Sequence, residues 1–198
     1  MIKNIIFDFD GVIVDSEILA SKAFTSYLTR RGHKVQEQDF YTFAGMKTFQ
    51  VIEILSEKYQ IINKDKFTQD IFSLVSQVYS SSLKLVNGFE NFISYSKKIH
   101  FIASNSNKDR IIKGLTTVGM SKNFPKNKIY SFDMVKNPKP HPDIYLKVIN
   151  ENNLVSKETI IIEDSAIGVK AGYSAGLKVL GLTAGKHWYI NRDKNELY

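Results

Sequence analysis

Apolar and polar positions divide this chain into two kinds of territory. The first opens with a short unbroken run, Ile5-Ile6-Phe7, followed by Asp8-Phe9-Asp10-Gly11 and a second run, Val12-Ile13-Val14. Continuous apolar residues over a strand's length, closed by a glycine, predict a strand over 4–9 buried on both faces. Residues 15–86 follow the helical period instead. Ala20, Ala23, Phe24, Tyr27 and Leu28 share one stripe, Val51, Ile52, Leu55 and Tyr59 a second, and Phe67, Ile71, Leu74, Val75 and Val78 a third. These stripes predict three helices, with a weaker one near 37–43.

Beyond residue 88 the short apolar runs return. Strands are predicted at Ile99–Ala103, Ile129–Phe132, Thr159–Glu163 and Leu177–Leu182, with helical stripes between them, such as Ile111, Ile112, Leu115 and Val118. Strands alternating with helices predict right-handed crossovers and a parallel sheet covered on both faces. The helical block interrupts this alternation directly after the first strand. The expected organisation is an α/β core from 1–14 and 87–198, with a helical cap inserted at 15–86.

Composition narrows the function classes. Of 198 residues, 43% are hydrophobic, enough for one core and a small second unit. No stretch approaches the roughly 18 apolar residues of a membrane span, and the early acids Asp8 and Asp10 leave no room for a secretory leader. The expectation is a cytoplasmic monomer without a membrane partner. Absent cysteine excludes disulfides and thiolate metal sites. The net charge of +7 comes from dispersed lysines with no nucleic-acid motif, so the expectation is a solvated basic surface and no nucleic-acid partner. Such a charge is compatible with a phosphorylated substrate.

The polar residues of interest follow predicted strands. Asp8 and Asp10 are expected to project together where the first strand ends, because side chains two apart on a strand share a side. Like charges held close require a cation or a shared proton. Ser104-Asn105-Ser106 follows the second strand; it suits either a helix cap or a phosphate cradle. Lys139 lies in a loop stiffened by Pro138, Pro140 and Pro142, where it is either solvated or held against an anion; His141 reads as a surface residue. Glu163 and Asp164 end the fourth strand, Asp164 being either a helix cap or a hard oxygen ligand. Gly168 and Gly172 suggest close packing of the helix that follows.

In order and spacing, Phe7-Asp8-Phe9-Asp10-Gly11-Val12, Ala103-Ser104-Asn105-Ser106, Lys139-Pro140-His141-Pro142-Asp143 and Ile162-Glu163-Asp164-Ser165-Ala166-Ile167-Gly168 resemble the haloacid dehalogenase (HAD) superfamily. With a helical cap between the first two sets, the chain is similar to the branch of β-phosphoglucomutase and sugar-phosphate phosphatases. The resemblance implies strand order 5-4-1-2-3, bringing Asp164 to Asp8 and Asp10 at the switch point. It implies Mg²⁺ held by Asp8, the main-chain carbonyl of Asp10, Asp164 and, directly or through water, Glu163. Asp8 would be the nucleophile, Asp10 the acid and base, and Ser104, Asn105 and Lys139 the phosphate-binding residues. Relatives continue past the last strand with a further strand and helix; a chain ending at Tyr198 is expected to be either a shortened core or a truncated version.

The implied reaction is hydrolysis of a small phosphorylated metabolite, a sugar or sugar-acid phosphate, through an aspartyl-phosphate. The mutase pattern places a histidine where this chain has Ala20 and an arginine where it has Thr48. A phosphatase is therefore expected over a mutase, with Gly45, Lys47 and Thr48 as candidate cap specificity residues. A non-enzymatic phospho-acceptor or ligand-binding module is the alternative of another class. The single residue between Asp8 and Asp10 and the helical insertion argue against the phospho-acceptor, and the intact set of site residues argues against a module that only binds ligand.

Overall fold

The computed structural model describes residues 1–16, 19–43 and 48–183. Gly45 and Lys47 lie outside the described residues. Two compact units are present, one of them Ser16–Leu83 and the other containing Met1–Asp15 and the described chain from Lys84 onward.

The larger unit is built on five strands: β1 (Asn4–Phe7), β2 (Ile99–Ser104), β3 (Ile129–Ser131), β4 (Thr159–Glu163) and β5 (Lys178–Gly181). They form one parallel sheet in the order β3-β2-β1-β4-β5. This is the doubly wound arrangement expected, with β1 central between β2 and β4. β1 is buried along its whole length, as a central strand covered on both faces must be. Ile6 faces a cluster with Phe101, Ala103, Tyr145, Val148 and Ile161. On the opposite side Phe7 meets Phe89, Phe92 and Phe124 edge-on.

β1 ends at Phe7, two residues before the expected limit. The Asp8 N–H still reaches the Ile162 carbonyl at 2.9 Å, and the chain then folds into a turn closed by Gly11 N–H to Val14 O at 2.8 Å. Gly11 takes φ +81°, and a Cβ there would stand 1.8 Å from Asp164 Oδ2. Glycine thus serves both the left-handed turn and the close approach of the acid. The two chain crossings lie side by side: Val14 bridges Leu85, and Val86 N–H bonds to Ile13 O.

Helices α4 (Phe89–Tyr95), α5 (Lys108–Thr117), α6 (Asp143–Glu151) and α7 (Ala166–Ser174) belong to the same unit. Asn107 caps α5 and Ser165 caps α7, each side chain accepting a first-turn N–H. The capping reading of Ser104-Asn105-Ser106 and of Asp164 therefore falls to neighbouring residues. Gly168 and Gly172 pack tightly, since added Cβ atoms would lie 1.6 Å from Glu163 Oε1 and 2.6 Å from Val179 Cγ2.

The Ser16–Leu83 unit holds α1 (Leu19–Thr29), a 3₁₀ segment (Glu37–Phe43), α2 (Thr48–Lys58) and α3 (Lys64–Ser82). Its core gathers Phe24, Tyr27, Leu28, Val51, Ile52, Leu55, Phe67 and Ile71 from the three helical stripes, joined by Phe40 of the 3₁₀ segment. Thr48 is the first residue of α2.

Candidate active site

The sheet order creates a switch point between β1 and β4, where doubly wound folds receive ligands beyond the strands' carboxyl ends. Asp8 leaves β1 there, Glu163 and Asp164 leave β4, and Ser104 ends β2. All four are buried.

Lys139 is also buried, and its solvated reading is overturned. Its ammonium lies 2.6 Å from Asp8 Oδ1 and 2.6 Å from Glu163 Oε1, with 2% of its side chain exposed. The Tyr145 ring centroid is 5.0 Å away, and the Tyr145 hydroxyl donates to Glu163 Oε1 at 3.3 Å. The other Glu163 oxygen accepts from the Ser165 N–H and hydroxyl at 2.8 and 2.9 Å. Glu163 is fully buried and thoroughly bonded, which a buried charge requires.

One oxygen from each of Asp8, Glu163 and Asp164 lies within 4.8 Å of the others. Lys139 bridges two of these three acids, Asp8 and Glu163. Burial pushes the Asp8 carboxyl up to about 7; Lys139 opposes this, Glu163 adds to it, and Asp10 contributes least. Burial also works against the Lys139 ammonium, but Asp8 and Glu163 outweigh it and hold the amine well above its ordinary value. Three clustered hard carboxylate oxygens fit a divalent cation.

The Asp10 carboxylate turns elsewhere. Its Oδ2 accepts from the Ser106 hydroxyl at 2.5 Å and its Oδ1 from Arg110 Nη2 at 2.9 Å. Among the described residues the acid oxygens that cluster with Asp8 are those of Glu163 and Asp164, while the Asp10 charge still helps raise the Asp8 carboxyl. β1 ends before both acids, so the side-sharing expected of strand residues two apart does not govern them. Ser104 Oγ accepts from the Ser106 N–H at 3.1 Å, tightening the turn after β2. The Asn105 carboxamide reaches Lys139, donating to its carbonyl at 3.2 Å and accepting its N–H at 3.1 Å. His141 is exposed, as expected.

Arg110 and Tyr145 were not among the expected site residues, and Ser106 entered only as part of the Ser104-Asn105-Ser106 turn. Tyr145 is hidden in the helical stripe of α6. Arg110 carried a faint signal, since a cation in the first turn of α5 runs against the helix dipole. A separate cavity of about 220 Å³ in the same unit has Phe7, Val12, Phe89 and Leu182 among its lining. It has no titratable wall, which makes it a packing feature rather than the chemical site.

Fold and charge placement define a class: a doubly wound α/β protein with buried carboxylates clustered at the carboxyl edge of its sheet. The family is more specific. The profile of haloacid dehalogenase-like hydrolases matches residues 5–182, and the chain belongs to that family. It is 24% identical to the 6-phosphogluconate phosphatase of Escherichia coli K12, across 94% of this chain and 85% of that protein. It is 30% identical to the phosphorylated carbohydrates phosphatase of Thermotoga maritima, across 89% and 82%. Among solved structures, a β-phosphoglucomutase-like protein of Thermotoga maritima aligns with TM-score 0.81 and 27% identity, covering 95% of this chain and 90% of the other.

Proposed function

We propose that this chain hydrolyses a small phosphorylated carbohydrate or sugar acid through an aspartyl-phosphate formed on Asp8, with Mg²⁺ as cofactor. The broader assignment, a phosphoric monoester hydrolase, rests on the family match and on relatives named for such activity. The observation that carries the finer reading is the buried Asp8 carboxylate, held against the Lys139 ammonium beside Glu163 and Asp164.

In this reading Asp8 attacks phosphorus in line, the P–O bond to the alcohol breaks, and the departing oxygen takes a proton from Asp10. Asp10, now a carboxylate, removes a proton from the water that attacks the aspartyl-phosphate. Phosphate leaves and Asp8 is restored. Asp8, Asp164 and the Asp10 carbonyl would hold Mg²⁺, which supplies the positive charge that lets an anionic carboxylate meet an anionic phosphoester. Lys139 adds a fixed positive charge at Asp8, and Ser104 and the Asn105 main-chain N–H offer donors for phosphoryl oxygens. Asp10 must exchange its bonds to Ser106 and Arg110 for one to substrate. The Ser16–Leu83 helices are the cap in this reading, with Gly45, Lys47 and Thr48 proposed as specificity residues.

The test is phosphate release from p-nitrophenyl phosphate and a panel of sugar and sugar-acid phosphates, with Mg²⁺ and with chelator. Mg²⁺-dependent release is expected, and no release from any of them would refute the reading. The similarity to the β-phosphoglucomutase-like structure favours a second reading. Conversion of β-glucose 1-phosphate to glucose 6-phosphate faster than phosphate release would replace the phosphatase with the mutase.

A further inference from the structure

The loop carrying Lys139 is poor in backbone donors. Pro138, Pro140 and Pro142 have no N–H, so residues 137–141 offer three: those of Asn137, Lys139 and His141. The Asn137 N–H goes to Asp143 Oδ2 at 3.2 Å, and the His141 N–H to the Pro138 carbonyl at 3.0 Å. Both bonds stay within the loop and its adjoining helix. Of the three, only the Lys139 N–H crosses to another part of the sheet, and its acceptor is Asn105 Oδ1, 34 residues earlier. The same carboxamide returns a bond from Nδ2 to the Lys139 carbonyl. Orientation of the amide is not arbitrary. A flip would set nitrogen against an N–H and oxygen against a carbonyl, losing both bonds.

We propose that the Asn105 side chain is a positioning residue for Lys139. It grips the lysine's peptide from both sides and ties the lysine loop to the turn after β2, so that the ammonium stays between Asp8 and Glu163. The inference rests on the phosphatase reading, in which Lys139 serves Asp8. Lysine has a long, rotatable stem, and a peptide free to drift would spread its ammonium over several positions. With the peptide fixed, the ammonium reaches both carboxylates at 2.6 Å. With one donor and one acceptor of the carboxamide engaged at Lys139, the Asn105 contribution to phosphate falls to its main-chain N–H.

The test pairs Asn105→Ala with a background that lacks the lysine. With p-nitrophenyl phosphate and Mg²⁺, Asn105→Ala should lower kcat about 10- to 100-fold, the scale of a small misplacement of a reacting group. In Lys139→Met the same substitution should cause less than a twofold further loss. Should Lys139→Met fail to fold because Glu163 loses its partner, Lys139→Met with Glu163→Gln serves as the background. A second readout is independent of turnover. Amide exchange at Lys139 should quicken about tenfold or more in Asn105→Ala, the worth of roughly one hydrogen bond, while exchange at Asn137 is unchanged. Equal losses in both backgrounds, or an unchanged Lys139 exchange rate, would overturn the proposal. An inactive wild-type enzyme would instead remove the phosphatase reading itself, an outcome distinct from either.

Discussion

The two units bury polar groups in opposite ways. Among the described residues of Ser16–Leu83, the buried polar side chains are Ser16, Ser21 and Ser56. Ser56 satisfies itself on its own helix, donating to Ile52 O at 2.6 Å. The larger unit buries Asp8, Lys139, Glu163 and Asp164, whose partners lie as far as 131 residues away in the chain. A hydroxyl can be buried cheaply because a helix supplies the acceptor within one turn. A charge cannot, and it needs partners from elsewhere with short bonds. One unit is therefore a packing problem and the other an electrostatic one.

Four experiments would break or sharpen that contrast. The largest effect is expected from Asp8→Asn, which should lower phosphatase turnover by about 10³-fold or more while the circular dichroism spectrum stays that of the folded protein. Retained turnover would separate the charge cluster from the chemistry. Next is Phe67→Ala in the helical unit. Phe67 is fully buried against Tyr27, with ring centroids 4.7 Å apart, so truncation should cost about 3–5 kcal/mol in urea unfolding. A loss below about 1 kcal/mol would mean that packing does not sustain this unit.

Gly168→Ala adds one methyl where Glu163 Oε1 would be 1.6 Å away. Overpacking predicts a loss of about 1–3 kcal/mol, with reduced kcat because Glu163 holds Lys139. An unaltered kcat would uncouple Glu163 from the lysine. The smallest effect concerns pH. Asp8 stands at about 7 in the fold against an ordinary 3.8, so its protonated form favours folding. Its contribution is complete below 3.8 and disappears as pH rises through about 7. In chelator, Tm should fall between pH 5 and 8 more steeply for the wild type than for Asp8→Asn. Added Mg²⁺ should raise Tm more at pH 8 than at pH 5. Equal slopes would show that Asp8 is not the titrating group.

Legibility in the sequence followed the same division. The helical unit was readable because Phe24, Leu28, Leu55, Phe67 and Ile71 recur at helical spacing, and that spacing is also their core. In the larger unit, strands appeared as apolar runs, and Asp8, Glu163 and Asp164 stood out as acids closing them. The expected strand limit overshot because Phe9 continued the apolar pattern, although the backbone had already turned toward Gly11. Arg110 escaped notice because its pairing with Asp10 spans 100 residues, and Tyr145 because a tyrosine in an apolar stripe reads as packing.

The chain's linear pattern determined which segments became strands and helices, where glycine had to turn the backbone, and which polar residues would stand at strand ends. Those are local properties, set by periodicity and backbone sterics. Tertiary structure alone decided that Lys139 would join Asp8 to Glu163, that Asn105 would hold the lysine's peptide, and that Asp10 would turn to Arg110. A buried charge or hydrogen bond depends on distances of a few tenths of an ångström. Those distances exist only after the sheet has set β1, β2 and β4 side by side.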